Sequence, residues 1–179
     1  MSNTVYLGVG SNLNREAALL FARARLAELF SEFRCSSVWC SHAVRVAEPD
    51  YYNAVMGGQS TLSLEQMYEQ ICRIEEQAGR ELMFNNGTNF GIKRRLDIDI
   101  LVYNQVVCNN PCKLPRHDIQ DYPFVLCPLC EIDADLEHPL LKIRVGDLWA
   151  EMSPRLPDNM RVTKVDFNWQ APVPQWQAS

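Results

Sequence analysis

The chain has 179 residues, a length typical of a single domain. Hydrophobic residues make up 47% and charged residues 22%, which excludes a disordered chain and a collagen-like repeat. A net charge of −5 argues against general nucleic-acid binding. The apolar runs are too short to span a bilayer, and the first residues lack the pattern of a signal peptide. We therefore expect a cytoplasmic protein without a membrane partner.

The first third of the chain predicts one helix and three strands. Residues 4–9 are rich in strand-forming residues, and residues 15–33 carry apolar residues at helical spacing. We expect further strands at residues 36–41 and 54–62, the second of them interrupted by a bulge at its glycine pair, Gly57-Gly58.

The middle of the chain predicts a second helix and the clearest strand. Ser63 and Gln66 form a capping box, which predicts a helix that runs to Ala78. Residues 81–91 include an Asn-Asn-Gly turn signal and predict a mobile loop. Residues 96–103 then predict a strand in which apolar residues alternate with polar ones.

The last part of the chain predicts short elements only. They are helices near residues 124–131 and 145–152 and an edge strand at 162–166. The order βαββαβ predicts a mixed α/β fold of the α+β type. We expect a ferredoxin-like sandwich, in which helices pack on an antiparallel sheet. We expect this single domain to cover residues 1–166, and residues 167–179 to form an uncharged tail that contains Pro and Trp.

Two aspartates in the clearest strand are candidate metal ligands. Because side chains alternate along a strand, Asp97 and Asp99 point to one face of the sheet. Leu96, Ile98 and Ile100 point to the other face, where they can meet the helices. Two like charges at this spacing repel, and Mg²⁺ bound with a phosphate would neutralise them. The alternative is a solvated edge strand.

A cluster of basic residues precedes these aspartates. Arg80, Lys93, Arg94 and Arg95 are concentrated around the predicted loop of an otherwise acidic chain. Arginine binds phosphate oxygens in a bidentate manner, so the cluster indicates a nucleotide triphosphate ligand. The alternative is an ordinary solvated run of charges.

Seven cysteines allow two interpretations. Cys108 with Cys112 and Cys127 with Cys130 have spacings that could form a zinc site of four thiolates. The odd number and the missing export signal favour reduced cysteines, of which several are buried as small apolar residues.

Several segments, in this order, resemble the 6-hydroxymethyl-7,8-dihydropterin pyrophosphokinase family of folate biosynthesis. The resemblance covers roughly residues 4–152. Its main segments are VGSNL at 9–13, PDYYNAV at 49–55, RRLDIDIL at 94–101, LPRHD at 114–118 and PFVLCPLCEI at 123–132. Each segment is a loose match by itself, whereas their order and spacing together are specific.

The resemblance implies an activity and a set of site residues. It implies transfer of pyrophosphate from ATP to the pterin hydroxymethyl group, with release of AMP and with two Mg²⁺ ions held by Asp97 and Asp99. It implies that Asn53 binds the edge of the pterin, and that Tyr51 and Phe124 stack on its two faces. It further implies an ATP site. The residues matched to that site or lying beside it are Glu75, Arg80, Lys93, Arg94, Arg116 and His117, of which Arg80 and Arg94 would also be catalytic.

The chain departs from the family pattern around the nucleotide. The usual proline-histidine pair reads Pro115-Arg116-His117, so either Arg116 or His117 takes the histidine position, and a family arginine is replaced by Tyr122. These changes leave open a catalytically altered pterin- or nucleotide-binding paralogue. We expect the partners to be small-molecule substrates, ATP and the pterin, and no nucleic acid. Among oligomeric states, a monomer is favoured.

Overall fold

The computed structural model describes residues 2–42, 50–85 and 88–175, with the backbone alone at residues 80–85 and 88–94. The strands are β1 (Asn3–Ser11), β2 (Arg34–Cys35), β3 (Trp39–Ser41), β4 (Tyr51–Ser60), β5 (Arg80–Asn85), β6 (Thr88–Arg94), β7 (Asp97–Tyr103) and β8 (Thr163–Lys164). The helices are α1 (Arg15–Ala27), α2 (Leu64–Ala78), α3 (Asp118–Asp121), α4 (Pro123–Ile132) and α5 (Val145–Met152). Within those ranges, no helix is long and apolar enough to cross a membrane.

The main sheet is antiparallel and has the strand order β7-β1-β4-β3-β8, with β2 also paired to β4. The predicted second strand is thus present as two short pieces, β2 and β3, on the same edge of β4. With α1 after β1 and α2 after β4, the first part of the chain follows the βαββαβ order. The predicted ferredoxin-like sandwich is confirmed.

One face of the sheet packs against α1 and α2. Leu19 and Leu26 of α1 and Met67 of α2 are fully buried there. Ile98 and Ile100 of β7 belong to the same cluster, as the alternation along this strand predicts. The capping box is also present, since the side chain of each capping residue binds the backbone N–H of the other. This face forms the larger of the two cores.

The opposite face is covered in part by α4 and α5. Leu126 and Leu129 of α4 and Val145 of α5 pack with Tyr6 and Val55 of the sheet. The pairing of β1 with β7 shifts register between Tyr6 and Leu7, which leaves Leu101 as an extra residue. Both Leu101 and Val102 therefore join this second core.

Three local predictions were wrong. Helix α1 ends at Ala27, six residues before the predicted end, because the chain must turn back to enter β2. The predicted mobile loop at residues 81–91 is replaced by the paired strands β5 and β6, joined through residues that lie outside the described ranges. The pairing of β1 with β4 runs from Asn3–Ser60 to Ser11–Tyr52 without a register shift, so the glycine pair makes no bulge.

The glycine pair instead permits close approach of the backbone. A Cβ atom on Gly57 would lie 2.1 Å from the carbonyl oxygen of Val5, and one on Gly58 would lie 1.9 Å from that of Glu32. Gly58 also has a φ of +151°. Only glycine fits where strand β4 passes so close to its neighbours.

The C-terminal segment adds the outermost strand of the sheet. Thr163 and Lys164 pair with β3, and Val165 N–H donates to Val38. The indole of Trp169 donates to the carbonyl of Ser36 at 3.0 Å. The predicted edge strand is thus present in shorter form; the division into a domain to residue 166 and a tail stays a prediction, and residues 176–179 lie outside the described ranges.

We predict that Gly57→Ala lowers the free energy of unfolding by about 3 kcal/mol, the upper end of the usual cost of overpacking, because the new methyl group meets rigid backbone. Gly10→Ala is the control, since its Cβ would meet only the side-chain oxygen of Asn53, at 3.4 Å. We expect it to cost less than about 1 kcal/mol. Urea denaturation measures both values. Equal losses in the two variants would contradict the close-approach explanation.

Candidate active site

A cavity of about 490 Å³ opens on the second face of the sheet, beside α4. It is bounded by β1, β4 and β7 and by the segment that leads from β7 into α4. Six of the residues predicted for the site line this one cavity: Tyr51, Asn53, Asp97, Asp99, Arg116 and Phe124.

Two glycines form the floor of the cavity. Tyr6, Gly8 and Gly10 alternate along β1 and face the same side. Tyr6 fills the core under α4, whereas Gly10 leaves open volume. Gly8 also lines the cavity, and the Leu101 side chain packs beside it, 3.2 Å from where a Cβ would lie. Sequence analysis missed both, although glycine inside a strand often marks a place where a ligand approaches the backbone.

The register of the sheet sets the two sides of this floor. Gly10 pairs with Asp97 on one side and with Asn53 on the other, and Gly8 pairs with Asp99. The backbones of Asp97 and Asn53 are thus two strand spacings apart, about 10 Å. Carboxylates therefore lie along one side of the cavity and an amide along the other.

The two aspartates lie at the accessible end of β7. Asp97 is exposed and Asp99 is half-buried, while Ile98 between them is buried on the opposite face. A carboxylate oxygen of Glu75 accepts a hydrogen bond from the Ile98 N–H at 2.9 Å. Glu75, predicted at the nucleotide site, lies outside the cavity lining and supports the backbone of the aspartate strand from α2.

Arg116 forms ion pairs with two carboxylates of the cavity. Its Nη2 is 3.1 Å from Oδ2 of Asp99, and its Nε is 2.7 Å from Oδ2 of Asp118. Partial burial acts to lower the pKa of Arg116, but the hydrogen bond to Asp118 and the charges of Asp99 and Asp97 outweigh it and raise the pKa. The guanidinium is therefore a permanent cation beside the aspartates.

His117 lies outside the cavity lining. Its Nδ1 contacts Oδ2 of Asp121, one helical turn further along the chain, and more than half of its side chain is exposed. Of the two residues that could take the family histidine position, Arg116 is the one that lines the cavity.

The other side of the cavity is aromatic and polar. Asn53 is buried, and its Nδ2 donates to Oγ of Ser41 at 2.9 Å. Tyr51 and Phe124 both line the cavity, and Tyr122 stacks on Phe124 with the ring centroids 5.0 Å apart. Ser41 was missed as a site residue, because no pattern in the sequence indicates its position. Tyr122, which the resemblance places near the nucleotide, instead lies on the aromatic side of the cavity.

The basic cluster is described in backbone only at three of its positions. Arg80 begins β5, Lys93 and Arg94 end β6, and the backbones of Arg80 and Arg94 are paired. Their side chains lie outside the described part of the structure, so their roles at a nucleotide stay predictions.

The cysteines give no support to the zinc interpretation. All seven are free. Burial raises the pKa of the Cys112 thiol to about 11 and that of Cys127 to about 12, as expected for small apolar residues inside the protein. Among the residues with described side chains, no group of three or more His, Cys, Asp or Glu residues is arranged to hold a metal ion.

Solved structures with the same fold come from a larger protein. The wild-type HPPK-DHPS of Plasmodium falciparum superposes with a TM-score of 0.70 at 12% identity, over 92% of this chain and 50% of that one. The pteroate complex of its triple mutant gives 0.67 over 89% and 46%. The chain thus spans about half the length of these proteins, and the likeness shows the fold alone.

Sequence relatives and a family model both point to one enzyme family. The 2-amino-4-hydroxy-6-hydroxymethyldihydropteridine pyrophosphokinase of Haemophilus influenzae is 33% identical over 76% of this chain and 85% of its own length. The protein of the same name in Aquifex aeolicus is 30% identical over 78% and 86%. The family model for 7,8-dihydro-6-hydroxymethylpterin-pyrophosphokinase matches residues 6–134. The chain therefore belongs to this family of enzymes that transfer pyrophosphate.

Proposed function

We propose that the protein transfers the β,γ-pyrophosphoryl group of ATP to the hydroxymethyl oxygen of 6-hydroxymethyl-7,8-dihydropterin and releases AMP in folate biosynthesis. The observation that carries this proposal is that one cavity has paired carboxylates and an arginine on one side and an amide with aromatic rings on the other. A charged polyphosphate suits the first side, and a flat heterocycle suits the second. Gly8 and Gly10 of β1 form the floor between the two sides.

The chemistry needs two substrates held in line. The hydroxymethyl oxygen forms a bond to the β-phosphorus, the bond from the β-phosphorus to the bridging oxygen of AMP breaks, and the hydroxymethyl proton is released. Asn53 and the rings of Tyr51 and Phe124 would hold the acceptor, and Arg116 would bind phosphate oxygens. Fixing both reactants in one cavity converts their meeting into an effectively unimolecular step.

Asp97 and Asp99 have the chemistry that Mg²⁺ requires. They are accessible carboxylates at alternate positions of one strand, they line the cavity, and their oxygens are the ligands that hard divalent ions prefer. We propose that they bind two Mg²⁺ ions. When bound, the ions would neutralise the triphosphate and the charge that develops during transfer.

A second candidate is a binding protein with altered or no catalysis. It is favoured by the nucleotide-side departures, because Arg116 pairs with one of the proposed metal ligands and Tyr122 occupies a position where the family has arginine. The presence of both aspartates favours the enzyme, since a single arginine offsets only part of the repulsion between two like charges on one strand face, and a bound cation would offset the rest. A cytoplasmic location and a monomeric state remain predictions.

The decisive experiment mixes the protein with Mg²⁺, ATP and 6-hydroxymethyl-7,8-dihydropterin and measures AMP. We expect AMP from the wild type and at least ~10³-fold slower formation by Asp97→Asn and Asp99→Asn, because loss of a metal ligand removes several kcal/mol of transition-state stabilisation. Circular dichroism should show an intact fold. Near-wild-type rates in both variants would reject the metal assignment, and a wild type without activity would favour the binding protein.

We predict that Tyr51→Ala and Phe124→Ala weaken pterin binding by about threefold to tenfold, because each removes one aromatic stack. The binding of Mg·ATP should change much less. Titration calorimetry with each ligand separately measures both constants. Equal losses for the two ligands would mean that these rings support the fold and do not clamp the pterin.

We predict that Arg116→Ala raises the Michaelis constant for ATP, whereas His117→Ala has little effect. Arginine stays charged, so the ATP affinity that it supplies should persist from pH 6 to pH 8. A histidine contact would give the opposite sign, with affinity rising as the pH falls toward about 6.5. The comparison of wild type with His117→Ala cancels the protonation of ATP itself. A gain in affinity at low pH that His117→Ala abolishes would overturn the assignment to Arg116.

A further inference from the structure

Arg116 bridges two carboxylates through different nitrogens of one guanidinium group. Nη2 faces Asp99, and Nε faces Asp118. The side chains of Arg116, Asp99 and Asp118 are 39%, 35% and 30% exposed, so water screens the two ion pairs only in part. Because separate nitrogens make the two contacts, one ion pair can break while the other remains.

The contact with Asp99 occupies the carboxylate that the proposed function assigns to Mg²⁺. The charges of Asp99 and Asp97 both act on Arg116, so the guanidinium serves as a counter-ion for the aspartate pair. A divalent cation at the same carboxylate would replace that positive charge and repel it. The Asp99 carboxylate therefore favours one cation or the other.

The contact with Asp118 holds the arginine in the cavity wall. The backbone N–H of Arg116 donates to Leu101 at 2.9 Å, and its carbonyl accepts from Ile119 at the start of α3. Asp118 is itself the first residue of α3 and lines the cavity. Both the backbone of Arg116 and its Nε are thus fixed, and the outer nitrogens alone have room to exchange partners.

We propose that Arg116 is a resident counter-ion that occupies Asp99 in the free protein and transfers to a nucleotide phosphate when the metal ion arrives, with Asp118 as its positioning residue. This inference rests on the proposed function, because it needs a metal ion at Asp99. Its consequence is that Arg116 opposes metal binding before the nucleotide is present and assists nucleotide binding afterwards. Removal of Arg116 should therefore shift the two affinities in opposite directions.

The first test measures Mn²⁺ binding to the nucleotide-free protein by electron paramagnetic resonance. We expect Arg116→Gln to bind Mn²⁺ roughly twofold to fivefold more tightly than the wild type, the factor of a partly screened ion pair. Arg144→Gln is the matched control, because Arg144 also bridges two carboxylates, Asp147 at 3.0 Å and Asp135 at 3.4 Å, away from the cavity. It should bind Mn²⁺ as the wild type does.

The same titration separates the inference from the proposed function. Unchanged or weaker Mn²⁺ binding by Arg116→Gln, at a site that Asp99→Asn removes, would overturn the inference alone. A wild type that binds Mn²⁺ no better than Asp99→Asn would overturn the metal assignment, and the inference with it.

The second test concerns Asp118 and uses Mg²⁺ with a non-hydrolysable ATP analogue. We expect Asp118→Asn to weaken analogue binding roughly twofold to fivefold, as for a partly screened ion pair, and to have no effect in the Arg116→Gln background. Asp118→Glu should restore part of the affinity, and pterin binding should be unchanged throughout. An equal loss in both backgrounds would show that Asp118 acts without Arg116 and would overturn its positioning role.

Discussion

The pairing register of β1 is the constraint on which the site depends. It sets Gly10 between Asp97 and Asn53 and sets Gly8 beside Asp99, so that carboxylates and amide flank a floor without side chains. A shift of one residue would turn the aspartates into the core under α1 and α2 and expose the buried isoleucines of β7. The apolar face of β7 thus fixes the position of its polar face.

Helices pack on both faces of this sheet, and the two sets have different roles. α1 and α2 bury the larger core, and Glu75 of α2 binds the backbone of β7 between the two aspartates. On the opposite face, α4 and α5 cover the sheet only as far as the glycines, and the remaining surface is the cavity. The cavity therefore lies where the central strand β1 carries glycines in place of larger side chains.

The cavity contains a positively charged side chain, Arg116, in contact with one of the proposed metal ligands, Asp99. Arg116 pairs with both Asp99 and Asp118, and its single positive charge reduces the repulsion among the carboxylates of the cavity in the free protein. The same side chain lines the cavity, where the proposed function places the nucleotide phosphates. Under the further inference, Arg116 would serve the free protein as a counter-ion and the loaded protein as a phosphate ligand.

The βαββαβ order and the main candidate residues could be predicted from the sequence, because strand alternation, the capping box and the spacing of the motifs are local patterns. The sequence predicted Asp97 and Asp99 on one face and the helical core on the other. Three features became visible only in the folded structure. Gly8 and Gly10 lie at the floor of the cavity, Glu75 binds the backbone of β7, and Arg116, not His117, lines the cavity. These depend on register and on the path of the chain between β7 and α4, where contacts join residues far apart in sequence and no local pattern records them.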